Sequence, residues 1–459
     1  MENIRSRRWP LLLLLSWVVA APAFAKEPYG EPVLYKRLAV PRALLAGGEF
    51  MGDLRVGDLT GDGRPDFVIY QSADDGMKPC FLAALDLEGR VLWQHGGRGG
   101  QPARPGSVAV YDVTGDGRDE IVCLFVDDPQ VRGSGNDMRN TVLQLRDGRT
   151  GRVLRQNAPE PLRRATGEGA NWVHQRIQVA NFRGTDRPRD FLIKLGTTLL
   201  AFDDRLQPLW TYEIDQRWSG YGRHSAYIPA VGDLTGDGRD EVNGGYYILN
   251  PDGTPRWAGE IGPHMDSVAI TEWDSGRTRA IASGAGHVLD ADGNVVLRLG
   301  ENIVPHGQEV RVANFLPDSA GPEMILRYRG HQPDVITVAN DGTILHRFRL
   351  NHSPNHTGME AVYWAGADRP ALLYNGGVLW HGEGRRFADL PGLHHPIGPR
   401  RRGWYHCIPV PAGADTREGL VVYNPCDRYM WLYVPAPACA EPFTRYRSTA
   451  RQYNVRLMD

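Results

Sequence analysis

Apolar residues along this chain come in short runs of four to eight, rich in Val, Ile, Leu and Tyr, separated by glycine- and aspartate-containing turns. No stretch beyond the N-terminus carries the three-to-four-residue spacing of an amphipathic helix, so the pattern predicts an all-β protein. The runs recur in a fixed order. An apolar strand is followed by a turn and a second apolar strand. A third strand then ends in an aspartate-glycine turn, and a fourth carries tryptophan or another bulky residue. Examples of the third-to-fourth passage are L-D-L-E-G-R-V-L-W from Leu85, L-N-P-D-G-T-P-R-W from Leu249 and V-A-N-D-G-T-I-L-H from Val338.

Three units open with nearly the same eleven residues: V-G-D-L-T-G-D-G-R-P-D from Val56, V-Y-D-V-T-G-D-G-R-D-E from Val110 and V-G-D-L-T-G-D-G-R-D-E from Val231. Weaker copies start at Val179, Ile270, Val312, Val362 and Val410. Units of this length with four strands each predict propeller blades. The expected architecture is a single β-propeller, with eight blades favoured over seven and the ring closed by one end of the chain. Residues 26–459 form that one domain.

Residues 1–25 read as a secretory signal peptide: Arg5, Arg7 and Arg8 precede the apolar run 11–21, and Ala23-Phe24-Ala25 offers a small-residue cleavage site. The apolar run is short for a membrane span, which predicts a secreted or periplasmic protein starting near Lys26. Removing those three arginines together with Glu2 takes the formal net charge from −2 to −4. With no basic stripe outside residues 400–402, nucleic acid is excluded as a partner. The five cysteines, Cys80, Cys123, Cys407, Cys426 and Cys439, allow two disulfides in an exported protein, with one pair expected among the last three.

In the three strong loops, side-chain oxygens fall at the first, third, fifth and ninth positions. These are Asp58, Thr60, Asp62 and Asp66; Asp112, Thr114, Asp116 and Glu120; and Asp233, Thr235, Asp237 and Glu241. Alternate oxygens in a tight glycine loop suit calcium; the bland alternative is a turn in which aspartate caps backbone N–H groups. Either way the loops predict stability rather than catalysis.

Histidine stands shortly before five consecutive unit cores: His174, His224, His264, His306 and His356. If each enters an innermost strand, the imidazoles converge on one end of the central funnel, as ligands for substrate or for a transition metal such as zinc. In the second strands of two units, Lys194 and Arg327 place a cation where other units carry small, aliphatic or aromatic residues. Lys194 is one of only four lysines. Tyr221, Arg223, His331, Trp404 and Tyr405 are further funnel candidates.

The aspartate loop resembles the calcium loops of FG-GAP propeller repeats, with threonine in place of the second acid. Together with the P-H-x-D and P-H-G-Q segments at Pro263 and Pro305 and the closing R-Q-Y-N-V-R-L-M-D, it resembles the propeller polysaccharide lyases. The likeness is strongest to rhamnogalacturonan lyases, with ulvan lyases and rhamnose-glucuronate lyases behind them. This chain departs from that pattern in being compact and in having several loops without the acids. The resemblance implies β-elimination beside a uronic acid of an acidic polysaccharide. Such chemistry needs a cation to neutralise the carboxylate, a base for the C5 proton and an acid for the departing oxygen. The expected assignment is Arg327 or Lys194 for the carboxylate, His174 or His224 as base, and Tyr221 or another histidine as acid. His264, His306, His331, His356, Arg223, Trp404 and Tyr405 hold substrate. A non-catalytic calcium-binding propeller for glycan binding or adhesion is the rival reading.

Overall fold

The computed structural model describes residues 29–73, 78–102, 106–126, 138–165, 176–220, 222–274, 276–353, 357–393, 405–413, 415–444 and 446. They form eight antiparallel sheets of four strands arranged as the blades of one propeller. Blade 1 runs from its inner strand Asp53–Gly57 through Asp66–Ala73 and Lys78–Leu85 to its outer strand Val91–Gly96. The inner strands of blades 2 to 7 are Val108–Tyr111, Ile177–Ala180, Ala230–Gly232, Val268–Asp274, Glu309–Ala313 and Glu360–Val362. Blade 8 takes His406–Pro411, Glu418–Tyr423 and Tyr429–Pro435 from the C-terminal end, and its outermost strand is Pro32–Ala39. The N-terminal strand therefore closes the ring, and the seven-bladed alternative falls away. Helix is confined, among the described residues, to one turn at Glu160–Arg164 and two 3₁₀ turns.

Burial follows from this stacking. Second and third strands such as Asp66–Ala73 and Lys78–Leu85 are buried along their whole length because a blade covers each face. Outer strands such as Ile344–Arg349 alternate half-buried and exposed residues, which blunts the sheet edge against pairing with another chain. The core lies between blades: Val68, Tyr70, Leu82 and Trp93 of blade 1 pack on Val110, Ile121, Cys123 and Phe125 of blade 2.

The recurring aspartate-glycine turn before each fourth strand has a packing reason. The outer-strand aromatic of one blade lies on the turn glycine of the next. A Cβ on Gly253 would come within 2.5 Å of Trp210, and one on Gly293 within 2.1 Å of Trp257. Both glycines have φ near +81°, where side chains are strained as well. Trp93 and Trp210 complete the seam by donating from Nε1 to the carbonyls of Gly148 and Pro251 at 2.7 and 2.9 Å.

The D-x-T-G-D-G loops join first to second strands, at the exits of the inner strands. Asp58 accepts N–H bonds from Gly61, Asp62 and Gly63. Glu120 and Glu241 accept from residues 113 and 114 and from 234 and 235. The loops also latch blades together: Asp119 accepts from the Asp58 N–H and Asp240 from the Asn181 N–H, each at 2.8 Å. None of the five cysteines is in a disulfide, so the expected pair is absent. Among the described residues no helix is long and apolar enough to cross a membrane. Residues 1–28 and the closing R-Q-Y-N-V-R-L-M-D lie outside the described residues.

Candidate active site

Every inner strand runs in the same sense around the ring, so the chain segments leading into these strands gather on one face. The aspartate loops that leave them gather on the other. His224, His264 and His306 stand three to six residues ahead of the inner strands of blades 4, 5 and 6, and the structure brings these three together. The His224 and His264 rings stack at 4.8 Å and 12°, and the His264 and His306 rings meet edge to face at 4.1 Å. His331 adds a fourth ring 6.0 Å from His306, at an exposed position.

Asp266 binds the cluster from below. Its Oδ2 lies 2.9 Å from His306 Nε2 and 3.2 Å from His264 Nε2, and its Oδ1 is 3.8 Å from His224 Nε2. Burial alone would raise the Asp266 carboxyl, but hydrogen bonds from His264 and His306 and the facing imidazoles hold it well below the usual carboxylate range. It stays ionised. His224 is fixed differently: its Nδ1 lies 3.0 Å from the Ser225 carbonyl, so Nδ1–H donates and Nε2 faces Asp266. Tyr227 stacks on its outer face at 4.7 Å. Burial pushes the His224 pKa down, with Asp266 opposing and the His264 and Lys194 charges adding to the drop.

Lys194 reaches this corner from the second strand of blade 3. It is 4% exposed, and no ion pair or hydrogen bond to its ammonium occurs among the described residues. Burial alone pushes its ammonium down to about 7, so near neutrality it can carry or release a proton. At the rim, Arg223 and Glu260 form an exposed ion pair of 2.8 Å. Tyr246 lies between this rim and Asp266, its hydroxyl donating to the Pro263 carbonyl and its ring stacked on Trp218 at 5.6 Å.

The other sequence candidates part company with this cluster. Arg327 is fully buried, and all three guanidinium nitrogens are engaged: Nε with Glu309 at 2.8 Å, Nη1 with the His352 carbonyl and Nη2 with the Thr357 carbonyl. A cation so buried, and tied at each nitrogen, is not presented to a substrate. Tyr405 packs edge-on against Trp431 in the seam between blades 7 and 8, and its carbonyl accepts from Thr357 and Tyr374. His174, Tyr221, His356 and Trp404 lie outside the described residues. Asp58, Asp62, Asp66, Asp112, Asp116, Glu120, Asp233, Asp237 and Glu241 all sit on the opposite face. Sequence reasoning quoted Asp266 inside P-H-M-D without giving it a role, and it passed over Tyr246 and Glu260. Spacing from His264 was the available signal for Asp266; nothing in the pattern marked the other two.

A cavity of about 1060 Å³ opens on the loop face, lined by Asp233, Glu272, Arg311, Glu360, Asp415 and Arg417. It shares no lining residue with the histidine cluster, which lies on the other face.

Comparison with known proteins bears on that chemistry. No protein-family model matches the chain. Two curated proteins of Bacillus subtilis do. The rhamnogalacturonan exolyase YesX is 26% identical over 301 residues, 56% of this chain and 46% of that protein. The rhamnogalacturonan endolyase YesW is 27% identical over 297 residues, 56% of this chain and 45% of that protein. Both relatives are rhamnogalacturonan lyases. The chain spans about half the length of these relatives. Among solved structures, a Bacillus licheniformis rhamnogalacturonan lyase superposes with a TM-score of 0.65 at 19% identity, covering 94% of this chain and 80% of that one. The Vibrio cholerae biofilm matrix protein Bap1 superposes with a TM-score of 0.55 at 12% identity, covering 92% and 91%. The structural likeness supports the propeller fold, which a lyase and a matrix protein share.

Proposed function

We propose that this chain is an exported polysaccharide lyase. It would cleave a rhamnose- and uronate-containing polymer of the rhamnogalacturonan type by β-elimination at the uronate, leaving an unsaturated uronate end. The observation that carries this reading is the convergence of His224, His264, His306 and Asp266, with the desolvated Lys194 beside them, on one face of a propeller whose curated relatives are rhamnogalacturonan lyases.

The roles follow from the environments. Lys194, expected from sequence as the carboxylate clamp, is better suited to accept the C5 proton, because burial, with no anionic partner among the described residues, favours its neutral form. His224 lines the same corner with a neutral imidazole and fixes the approach of the sugar. Arg223 can exchange its exposed Glu260 partner for the uronate carboxylate and hold the negative charge that develops there. His264, His306 and Asp266 form the polar wall opposite, and Tyr221, the acid expected from sequence, would give the departing oxygen its proton. The exposed His331 extends that wall outward.

Calcium is proposed for the aspartate loops, on the face away from the chemistry. The donor set fits: Asp58, Asp62 and Asp66 crowd one tight loop, and burial raises the Asp66 and Glu120 carboxyls to about 7. Asp58 would still spend oxygens on the backbone caps, so the ion would add to an existing turn.

The test is ultraviolet absorbance of an unsaturated uronate product over a panel of rhamnose-containing uronate polymers, with wild type, Lys194→Ala and His224→Ala. A rise on one polymer, lost in the variants, supports the proposal. Binding without any rise would favour the non-catalytic reading, for which the fold shared with Bap1 speaks.

A further inference from the structure

The histidine cluster contains more acceptors than protons can satisfy comfortably. His264 Nε2 and His306 Nε2 stand 2.6 Å apart, and Asp266 Oδ2 lies within 3.2 Å of both. Three lone-pair-bearing atoms thus form a triangle with sides of 2.6, 2.9 and 3.2 Å. One shared proton can bridge one side of that triangle. A cation above it would serve all three atoms at once. From those sides, an ion about 2.1 Å from each atom would stand about 1.2 Å out of their plane, which is ordinary bonding distance for imidazole and carboxylate on zinc.

The surroundings fit this. The donors are two imidazoles and a carboxylate, the set that borderline-soft divalent metals take and calcium does not prefer. Asp266 is 6% exposed, and no arginine or lysine pairs with it among the described residues. His224 also brings a ring nitrogen to within 4.8 Å of the His264 and Asp266 ligand atoms. Its tautomer is set by the Nδ1–H bond to Ser225, a backbone anchor of the kind that orients imidazoles around metals.

We infer that His264, His306 and Asp266 form a mononuclear site for a zinc-class divalent metal, with His224 facing an open fourth position that takes the anionic oxygen of the substrate. The site rests on the proposed lyase reading for its substrate and on the cluster geometry alone for its metal. An ion there would stand on the face where the uronate docks and supply positive charge to its carboxylate. It is separate from the calcium loops, which leave the inner strands at their far ends.

The experiment reads metal without substrate. Full-length protein stripped with a strong chelator is returned to excess calcium, which saturates the aspartate loops, and titrated with cobalt(II) and then zinc. The expected result is one equivalent of cobalt with visible absorption bands of a low-coordinate nitrogen and oxygen site, displaced by zinc. His264→Ala and His306→Ala should lose the bands, and Asp266→Asn should weaken cobalt binding at least 10-fold. His346→Ala, on the outer strand of blade 6, should bind like wild type. His264→Gln gives a second probe if the alanine variants do not fold, with folding checked by circular dichroism. No saturable band, or bands that persist in the folded His264 and His306 variants, overturns the site. Product formation by metal-stripped protein that never binds cobalt would leave the lyase reading standing and remove the metal. A cobalt site with no product on any polymer does the reverse.

Discussion

Replacing Lys194 by methionine should make the protein more stable and less active at the same time. The side chains are close in length and apolar contact, so the main change is loss of an ammonium group held in a dry site. Burial lowers its pKa from an ordinary 10.5 to about 7. The folded state therefore binds fewer protons than the unfolded chain between those values, and stability rises with pH across that window. Below pH 7 both states carry the proton and the full desolvation cost remains. At pH 7 the linkage amounts to about 4 kcal/mol, an upper figure because relaxation and water entry reduce it. Lys194→Met should gain a large part of this at pH 6 to 7 and almost nothing near pH 10. Urea unfolding of both proteins at pH 6, 7, 9 and 10 measures the difference. Turnover should fall by about 10²- to 10⁴-fold, the usual weight of a general base. Wild-type turnover should rise with pH through about 7 as Lys194 deprotonates against the neighbouring His224. A variant less stable than wild type at every pH would refute the reasoning, since it would mean the ammonium is paired and structural.

Arg327 should behave in the opposite way: Arg327→Met leaves the buried Glu309 with Arg311 as its one remaining cation among the described residues, at a cost of up to about 3 kcal/mol, while the folded fraction keeps near-normal turnover in the product assay. Ring closure depends on Asp53, which accepts from Arg55 and from the Tyr70 and Tyr423 hydroxyls, joining blade 1 to blade 8. Burial works against it, yet Arg55 and the two tyrosines hold the Asp53 pKa below its ordinary 3.8. Its contribution is therefore present above pH 4 and lost as pH falls through the lower folded value; Asp53→Asn should flatten acid unfolding there, as followed by tryptophan fluorescence. Chelation should lower the thermal midpoint, and added calcium should restore it by more in wild type than in Asp62→Ala, read by calorimetry. Gly293→Ala should destabilise by more than about 1 kcal/mol, because the new Cβ meets Trp257 at a positive φ.

The fold was legible because each blade solves the same packing problem with the same residues. A tryptophan needs a glycine turn on the next blade, and an inner strand needs a capped exit, so both features recur along the chain as Trp210 with Gly253 and Trp257 with Gly293. The three histidines were legible for a related reason: they stand at one height in consecutive units, and a ring maps equal height onto one face. Asp266 was not, because one acid in one entry segment has no repeat to mark it. The free thiols were illegible too, since Cys407 begins in an inner strand, Cys426 in a turn and Cys439 beyond the last strand, and chain proximity is not spatial proximity.

The contrast between Lys194 and Arg327 shows where pattern stops carrying function. Both occupy the same height in the second strand of a blade, and sequence treats them alike. What separates them is the residue across the ladder at the entry of the inner strand. Blade 6 pairs Glu309 with Arg327, blade 1 pairs Asp53 with Tyr70, and blade 7 pairs Glu360 with Tyr374. Continuing the Ile177 to Ile193 register of blade 3 by one residue sets Arg176, a second cation, at the level of Lys194. An acid opposite turns a buried cation into a structural tie; its absence leaves the lysine desolvated and able to give up its proton near neutrality. On the proposed reading the signal is a partner missing among the described residues, a property of pairs across a sheet that no single stretch of sequence displays.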